Sequence, residues 1–461
     1  MARHVPRGAI PEPVLDICGR LEDSGYRAWV VGGSLRDLLL GREVNDWDIA
    51  TDARPKQVQG VFRRVVPTGI QHGTVTVLHR GGQYEVTTLR GETTYSDGRH
   101  PDRVYFVDEI EADLARRDFT VNAIAYDPVQ QSVADPFDGL GDLDRRTIRA
   151  VGDPKERFDE DGLRVLRAAR FVATLEFDLD PETEAAIRPA LSTFRKVSHE
   201  RVREEWMKAL KAPAPSRAFE VMRRTGILEV TLPELVDQVG CEQNRYHAYD
   251  VWTHTLACLD AMEGDAVERL AALLHDLGKP RSRGVSDKTG DYTFYDHEKI
   301  GARMADAWMR DYRFSNAERD KVVRMVRHHL IVYAPEWTDS AVRRFIRRVG
   351  TDLVDPLIRL ARADALAKGR PVAEELGMLD ELTDRVRREL EAGSALSARD
   401  LAIDGKQVMD RLGIAPGPAV GRALDRLLER VLEDPSLNDR DRLLALLDEV
   451  GPEVVEGARG S

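Results

Sequence analysis

The sequence predicts an α+β chain: a small α/β head followed by a long all-helical body. Three observations carry this. Short apolar runs separated by glycine-rich turns fill residues 28–150. From about residue 159 apolar residues recur at helical spacing and stay helical through the tail. With 461 residues the chain is too long for one ordinary core, so several domains are expected.

In chain order, Trp29-Val30-Val31 reads as a strand, and Asp46 to Thr51 has strand character. Thr74 to Leu78 and Tyr84 to Thr88 read as two more strands, with Gly81-Gly82 as the hairpin turn between them. Pro213 and Pro215 break the helical region that follows. A histidine-rich helical stretch runs from His247 to Asp364, and a Leu/Arg-rich helical tail comes after it, interrupted by Gly413, Pro416, Gly417 and Pro418. The expected divisions are 1–150, 151–230, 231–370 and 371–461.

Composition sets limits on function. Hydrophobic residues at 42% and charged residues at 32% describe a folded, charge-rich chain. A net charge of -12 argues against a protein that simply coats nucleic acid, while leaving room for a local basic face. Cys18, Cys241 and Cys258 are too far apart for a paired metal-ligand spacing and read as small buried hydrophobes in a reducing compartment. No apolar core of a signal peptide occurs between Met1 and Pro13. No run of about 18 apolar residues occurs either, so no membrane partner is expected and the cytoplasm is the expected location.

The first chemical constellation begins where a strand meets Gly32-Gly33 and a helix start. Glycines allow a triphosphate close to the backbone, and helix N-terminal amides favour anions. Arg36 adds a charge-assisted contact to phosphate. On a strand, Asp46 and Asp48 project from one face. Two converging carboxylates suit magnesium, which takes oxygen ligands together with substrate phosphates. Metal held there can activate an attacking hydroxyl and neutralise a leaving pyrophosphate.

The run Gly32 to Thr51 resembles the signature of the DNA polymerase beta nucleotidyltransferase superfamily. Arg116-Arg117-Asp118-Phe119-Thr120-Val121-Asn122-Ala123, Asp135-Pro136-Phe137-Asp138-Gly139, Glu160-Asp161-Gly162-Leu163-Arg164 and Ser198-His199-Glu200-Arg201 resemble, in order, the remaining motifs of class II tRNA nucleotidyltransferases. That resemblance covers about residues 28–210. It implies a polymerase-beta-like head, a helical neck, an HD domain and a tail that contacts tRNA. Catalysis would rest on Asp46 and Asp48. Arg116 and Arg117 would grip the triphosphate, and Asn122 would hold the ribose. The polar segment Glu92 to Asp108 would be a mobile loop of the kind linked, in the resembling enzymes, to the change from C to A addition.

Asp161, Arg164, Arg167 and Arg170 recur every three residues, which on a helix keeps them on neighbouring faces. Cytosine and adenine each present an amino donor beside a ring-nitrogen acceptor. A carboxylate and a guanidinium complement that pair and reject uracil and guanine. Asp161 with Arg164 would thus read the base, and the resemblance places Arg167 and Arg170 nearer the triphosphate.

Further on, His254, His275-Asp276 and Asp364 match the ligand order of HD-domain phosphohydrolases, with Leu277-Gly278-Lys279-Pro280 after the pair and His297 and His328-His329 between. Imidazoles with carboxylates suit a divalent transition metal, magnesium being the alternative. The resemblance implies hydrolysis of phosphomonoesters or cyclic phosphates there. Two basic clusters, one within residues 195–224 and one at Arg343, Arg344, Arg347 and Arg348, are candidates for phosphate contacts with RNA.

The leading expectation is addition of C, C and A to the tRNA 3′ end from CTP and ATP. A-addition or poly(A) synthesis is the nearest alternative. An HD phosphohydrolase with a nucleotide-binding head is the alternative of another class. Oligomeric state is open.

Overall fold

The computed structural model describes residues 5, 8–70, 73–92 and 104–459. The chain divides into two compact units, residues 1–236 with 311–313, and residues 237–310 with 314–461.

The first unit is built on a mixed sheet. Its strands are β1 (Ala28–Val31), β2 (Asp48–Thr51), β3 (Val65–Gly69), β4 (Thr74–His79) and β5 (Gly82–Thr88). A separate short pair, β6 (Arg90–Glu92) and β7 (Val104–Phe106), is followed by β8 (Ala125–Asp127) and β9 (Ser132–Ala134). The sheet order is β3-β4-β5-β2-β1-β8-β9. β1 is antiparallel to β2, and β2 is parallel to β5. All four β1 residues are buried, as expected for a central strand covered on both faces. Trp29 and Val31 pack with Leu89, Leu114 and Ala125 beneath the sheet.

Two expectations shift by a residue or two. The β4–β5 turn is Arg80-Gly81, because His79 pairs with Gly82; both turn residues have positive φ, 46° and 84°, the conformation a two-residue hairpin prefers. The second strand begins at Asp48, not Asp46. Val31 is the last rung of β1 opposite Asp48, and the next residue already belongs to helix Gly32–Leu39. Asp46 therefore has no strand to pair with and sits exposed in an irregular lead-in. The polar segment read as a loop from Glu92 to Asp108 is strand at both of its described ends; residues 93–103, with Tyr95 to Arg99, lie outside the described residues.

Helices follow, beginning with Pro154–Glu160 and Leu163–Leu175. Asp153 caps the first of these by accepting from the amides of Lys155 and Glu156. Asp161 lies in the break between them, with φ -137° and ψ 105°, and its Oδ1 accepts from the amide of Leu163 at 3.0 Å. Only Arg164, Arg167 and Arg170 ride the helix. A short polar side chain that competes for backbone donors favours a cap over a helix interior, so the periodicity starting at Asp161 breaks there.

The second unit is helical apart from a small hairpin, Arg283–Val285 with Tyr292–Phe294. Asp250, Asp265, Ser315 and Thr338 cap its helices. The second basic cluster is internal to this unit. Arg343, only 6% exposed, donates to Glu389 and to the carbonyls of Leu432 and Glu433. Arg344 pairs with Glu429 and Glu433, and Arg347 with Asp425 and Glu429. These guanidiniums fasten helix Pro418–Glu433 to helix Asp339–Val349 and leave Arg348 as the exposed member. All three cysteines are buried and unpaired. No helix among the described residues is long and apolar enough to cross a membrane.

Candidate functional site

A cavity of about 570 Å³ in the first unit is lined by Gly32, Gly33, Arg36, Asp48, Arg116, Arg117, Asn122, Asp161, Arg164, Arg167 and Arg170. Every head residue expected from the sequence is therefore in one place except Asp46, which is not part of the lining.

The glycine turn is required by geometry. Gly32 has φ +74°, and a Cβ there would sit 2.9 Å from Arg117 Nη1 and 3.4 Å from Asp48 Oδ2. The carboxylate, the guanidinium and the start of helix Gly32–Leu39 thus converge on a residue without a side chain. Burial pushes the Asp48 carboxyl above the usual carboxylate range, and Glu85 and Asp46 push it the same way against Arg117. Three crowded carboxylates beside a cavity suit a divalent cation, which would relieve their repulsion and take their oxygens as ligands. Glu85 was not singled out in the sequence. It is brought in by the parallel register, in which Glu85 lies opposite Asp48; its position on β5 was the available signal.

The cationic wall is held by buried acids. Asp113, 2% exposed, accepts from Arg116 Nε and Nη2 at 3.0 and 2.9 Å and from Arg117 Nη2 at 3.3 Å. Burial alone would raise its pKa, but the two guanidiniums hold it below the usual range. Asp118 accepts from Arg167 Nε and Nη2 at 2.8 and 2.5 Å, and from Asn122 Nδ2 at 2.9 Å. Against the raising effect of burial, Arg167 and Asn122 keep Asp118 well below the carboxylate range. Asn122 Oδ1 accepts from Arg36 Nη1 at 2.6 Å, so Arg36, Asn122, Asp118 and Arg167 form one relay. Arg170 pairs with Glu205 at 2.5 Å and lies 4.0 Å from the centre of the Phe171 ring. Asp113 and Asp118 went unassigned in the sequence, although Asp118 stands directly after the arginine pair.

Asp161 and Arg164 both line the cavity, and although the Arg164 amide donates to the Asp161 carbonyl at 3.0 Å, their side chains do not bond to each other. Asp161 Oδ2 accepts from Arg201 Nη2 at 2.8 Å, while Arg164 is fixed by Glu160 at 2.5 Å and by the carbonyls of Arg157 and Arg116 at 2.9 Å each. The carboxylate and guanidinium expected to read a base are thus pre-oriented by separate partners. Within the first basic cluster, Lys208, Arg217, Arg223 and Arg224 are ion-paired to Glu205, Asp178, Glu220 and Glu184. Arg195, Lys196 and Lys211 are exposed.

In the second unit the histidine-aspartate residues meet. His254 Nε2 lies 2.9 Å from Asp364 Oδ1, and His275 Nε2 lies 3.1 Å from Asp276 Oδ2. His254 and His275 are fully buried, and each Nε2 faces a carboxylate oxygen without a well-aligned hydrogen bond to it, an arrangement suited to a metal. Lys279 Nζ is 2.6 Å from Asp276 Oδ2. Burial raises Asp276 and Asp364, but His275 with Lys279, and His254 with His275, hold them well below the usual carboxylate range. His297 and His329 join the cluster; His328 does not. Gly278 makes this possible: a Cβ there would lie 2.2 Å from the carbonyl oxygen of His297, so the backbone carrying His297 can dock only against glycine.

Comparison with known proteins agrees with this layout. Residues 28–149 match the family model of the poly A polymerase head domain, residues 176–238 that of the probable RNA and SrmB-binding site of polymerase A, and residues 245–369 that of the HD domain. A CCA-adding enzyme of Lactobacillus gasseri is 50% identical over 215 residues, 47% of this chain and 54% of that protein. The chain thus matches about half the length of the first curated relatives. A CCA-adding enzyme of Leuconostoc mesenteroides is 33% identical over 439 residues, 94% of this chain and 96% of the relative. Among solved structures, that of the Bacillus stearothermophilus CCA-adding enzyme in complex with CTP superposes with a TM-score of 0.75 at 30% identity, covering 97% of this chain and all of that one. With a near full-length relative and the motif residues gathered in one cavity, the chain belongs to the class II tRNA nucleotidyltransferase family, the group of the CCA-adding enzymes.

Proposed function

We propose that this chain adds C, C and A, without a nucleic-acid template, to the 3′ end of tRNA from CTP and ATP in the cytoplasm, releasing pyrophosphate. The observation that carries the proposal is the single cavity in which Asp48, the Arg116–Arg117 pair and the Asp161–Arg164 pair converge. The 30% identical structural relative was solved with CTP.

Asp46 and Asp48 are the catalytic carboxylates and hold magnesium. The metal, when bound, neutralises triphosphate charge and favours the deprotonated 3′ hydroxyl. Arg116 and Arg117, aimed by Asp113, take the triphosphate, with the Gly32-Gly33 backbone offering it close approach. Asn122, fixed between Arg36 and Asp118, faces the ribose. Asp161 accepts from the amino group of C or A while Arg164 donates to the neighbouring ring nitrogen. Arg167 and Arg170 add positive charge toward the triphosphate.

Residues 1–150 form the transferase head and 151–230 the neck with the base-reading pair. Residues 231–370 are an HD phosphohydrolase domain whose metal is held by His254, His275, Asp276 and Asp364. Residues 371–461 are a tail that contacts tRNA. Arg195, Lys196 and Lys211 supply exposed phosphate contacts on the neck.

The test offers tRNAs ending before CCA, after CC, or with full CCA, each with labelled CTP or ATP. CMP incorporation into the first, AMP into the second and none into the third is expected. AMP without CMP would replace this reading with A-addition or poly(A) synthesis. Neither nucleotide, with phosphate release, would leave only the HD hydrolase.

A further inference from the structure

Phe171, on helix Leu163–Leu175, stands among three of the arginines that face the cavity of the first unit. The Cζ of Arg170 lies 4.0 Å from the centre of its ring, that of Arg36 5.3 Å and that of Arg167 5.5 Å. The side chain is only 4% exposed and lines the same cavity. It packs edge to face with Phe119, the ring centres 5.6 Å apart.

Position along the chain does not account for this gathering. Residues one apart on a helix do not face each other, so Arg170 has to fold back to reach the ring. Arg167 stands one turn earlier on the same face. Arg36 comes from a different helix, Gly32–Leu39.

Three guanidiniums around one point repel one another, the more so where burial lowers the effective dielectric. Each is tied to an acid, but the acids belong to separate elements. Arg36 pairs with Asp37 of its own helix at 2.9 and 2.8 Å, Arg167 with Asp118, and Arg170 with Glu205 of helix His199–Leu210. Burial, reinforced by Arg167, pulls the Arg170 guanidinium below its ordinary value against the effect of Glu205. The Phe171 ring is a surface that all three cations share. The negative face of an aromatic ring attracts cations, and the attraction is larger where water is excluded.

We propose that Phe171 is a positioning residue for nucleotide transfer: its ring holds Arg36, Arg167 and Arg170 together as one cationic wall before the triphosphate arrives. This rests on the reading of the cavity as the triphosphate site and adds a residue that acts through those three arginines. With the guanidiniums already gathered, the triphosphate does not have to order them or overcome their mutual repulsion as it binds. The wall meets the triphosphate in ground and transition state alike, so its loss falls on KM rather than on kcat.

The test replaces Phe171 in the full chain with mono-, di- and trifluorinated phenylalanine, which drain electron density from the ring face stepwise while nearly keeping its shape. KM is measured for CTP on tRNA ending before CCA and for ATP on tRNA ending after CC, and the Kd of inorganic tripolyphosphate is measured by calorimetry. Both should rise with each fluorine, about tenfold across the series, with kcat and Tm unchanged. Phe171→Leu, apolar but without a π face, should raise both at least as much as the trifluorinated ring. A flat series, or a loss carried by kcat and Tm instead of KM and Kd, overturns the positioning role. A flat series in a chain that still transfers nucleotide leaves the transferase reading intact. A parent chain that incorporates neither CMP nor AMP removes the transferase reading, and the tripolyphosphate titration then decides the role of the ring by itself.

Discussion

Arg201 Nη2 donates to Asp161 Oδ2 at 2.8 Å, tying helix His199–Leu210 to the turn that opens helix Leu163–Leu175, 40 residues earlier. Asp161 is therefore aimed by a residue that the sequence placed in the last of the family motifs but to which it gave no role of its own. Replacing Arg201 with Ala should lower kcat/KM for CTP and ATP by about 10- to 100-fold, the cost of one or two misplaced hydrogen bonds. Preference over UTP and GTP should shrink with it. Steady-state kinetics with all four triphosphates measures both, and unchanged discrimination would refute the aiming role.

Asp161→Ala should retain some transfer but lose nucleotide selectivity. Because Arg201 acts through Asp161, the double substitution should be no worse than Asp161→Ala alone. Additive losses in the four-triphosphate assay would contradict this coupling.

The Asp118–Arg167 pair makes a pH prediction. Asp118 is held below its unfolded value, which is near 3.9, so its contribution to stability is fully present above that pH and is lost as pH falls toward the folded value. Asp118→Asn should cost about 1–2 kcal/mol at neutral pH, because it removes the hydrogen-bonded counter-charge of Arg167, whose side chain is 32% exposed. Its thermal midpoint should also fall less steeply than that of the parent chain between pH 5 and pH 3. Parallel melts across that range decide it; identical slopes would count against the pair.

Gly32→Ala places a Cβ against Arg117 and forces an L-residue to φ +74°. The strain is about 1–2 kcal/mol, a drop of a few degrees in Tm. Transfer should suffer more, by roughly 100-fold, because triphosphate and catalytic groups shift relative to each other. Equal proportional losses of Tm and activity would show a merely structural glycine.

Chelation should abolish transfer reversibly, with magnesium restoring it. Asp48→Asn should reduce kcat on the order of 10³-fold without rescue by added magnesium. Glu85→Gln should raise the magnesium concentration needed for half-maximal rate, as expected for a carboxylate opposite Asp48. An unchanged magnesium requirement would remove Glu85 from the site.

Much of the head was legible because its signals are local. Alternating β-branched residues gave β4 and β5, and glycines after β1 gave the turn into a helix. What failed depended on partners distant in sequence. The strand start at Asp48 is decided by where β1 runs out, which residues 46–51 do not encode by themselves. Asp161 lies ahead of the helix, its side chain accepting from the amide of Leu163 at the helix start. The arginines at 343, 344 and 347 looked like an RNA patch because their acids lie 46 to 89 residues away. His297 and His329 were visible as histidines, but only folding sets them beside Asp276 Oδ1.

The fastening of the tail through Arg343 has a consequence for how such a sequence drifts. With its guanidinium enclosed by Glu389 and two carbonyls of the tail helix, neither Arg343 nor Glu389 has a neutral single-step replacement. Each change alone strands a charge. Exchanging both together for an apolar pair avoids that cost. The attachment of the tail thus rests on a few enclosed contacts rather than on the pattern of its outer face.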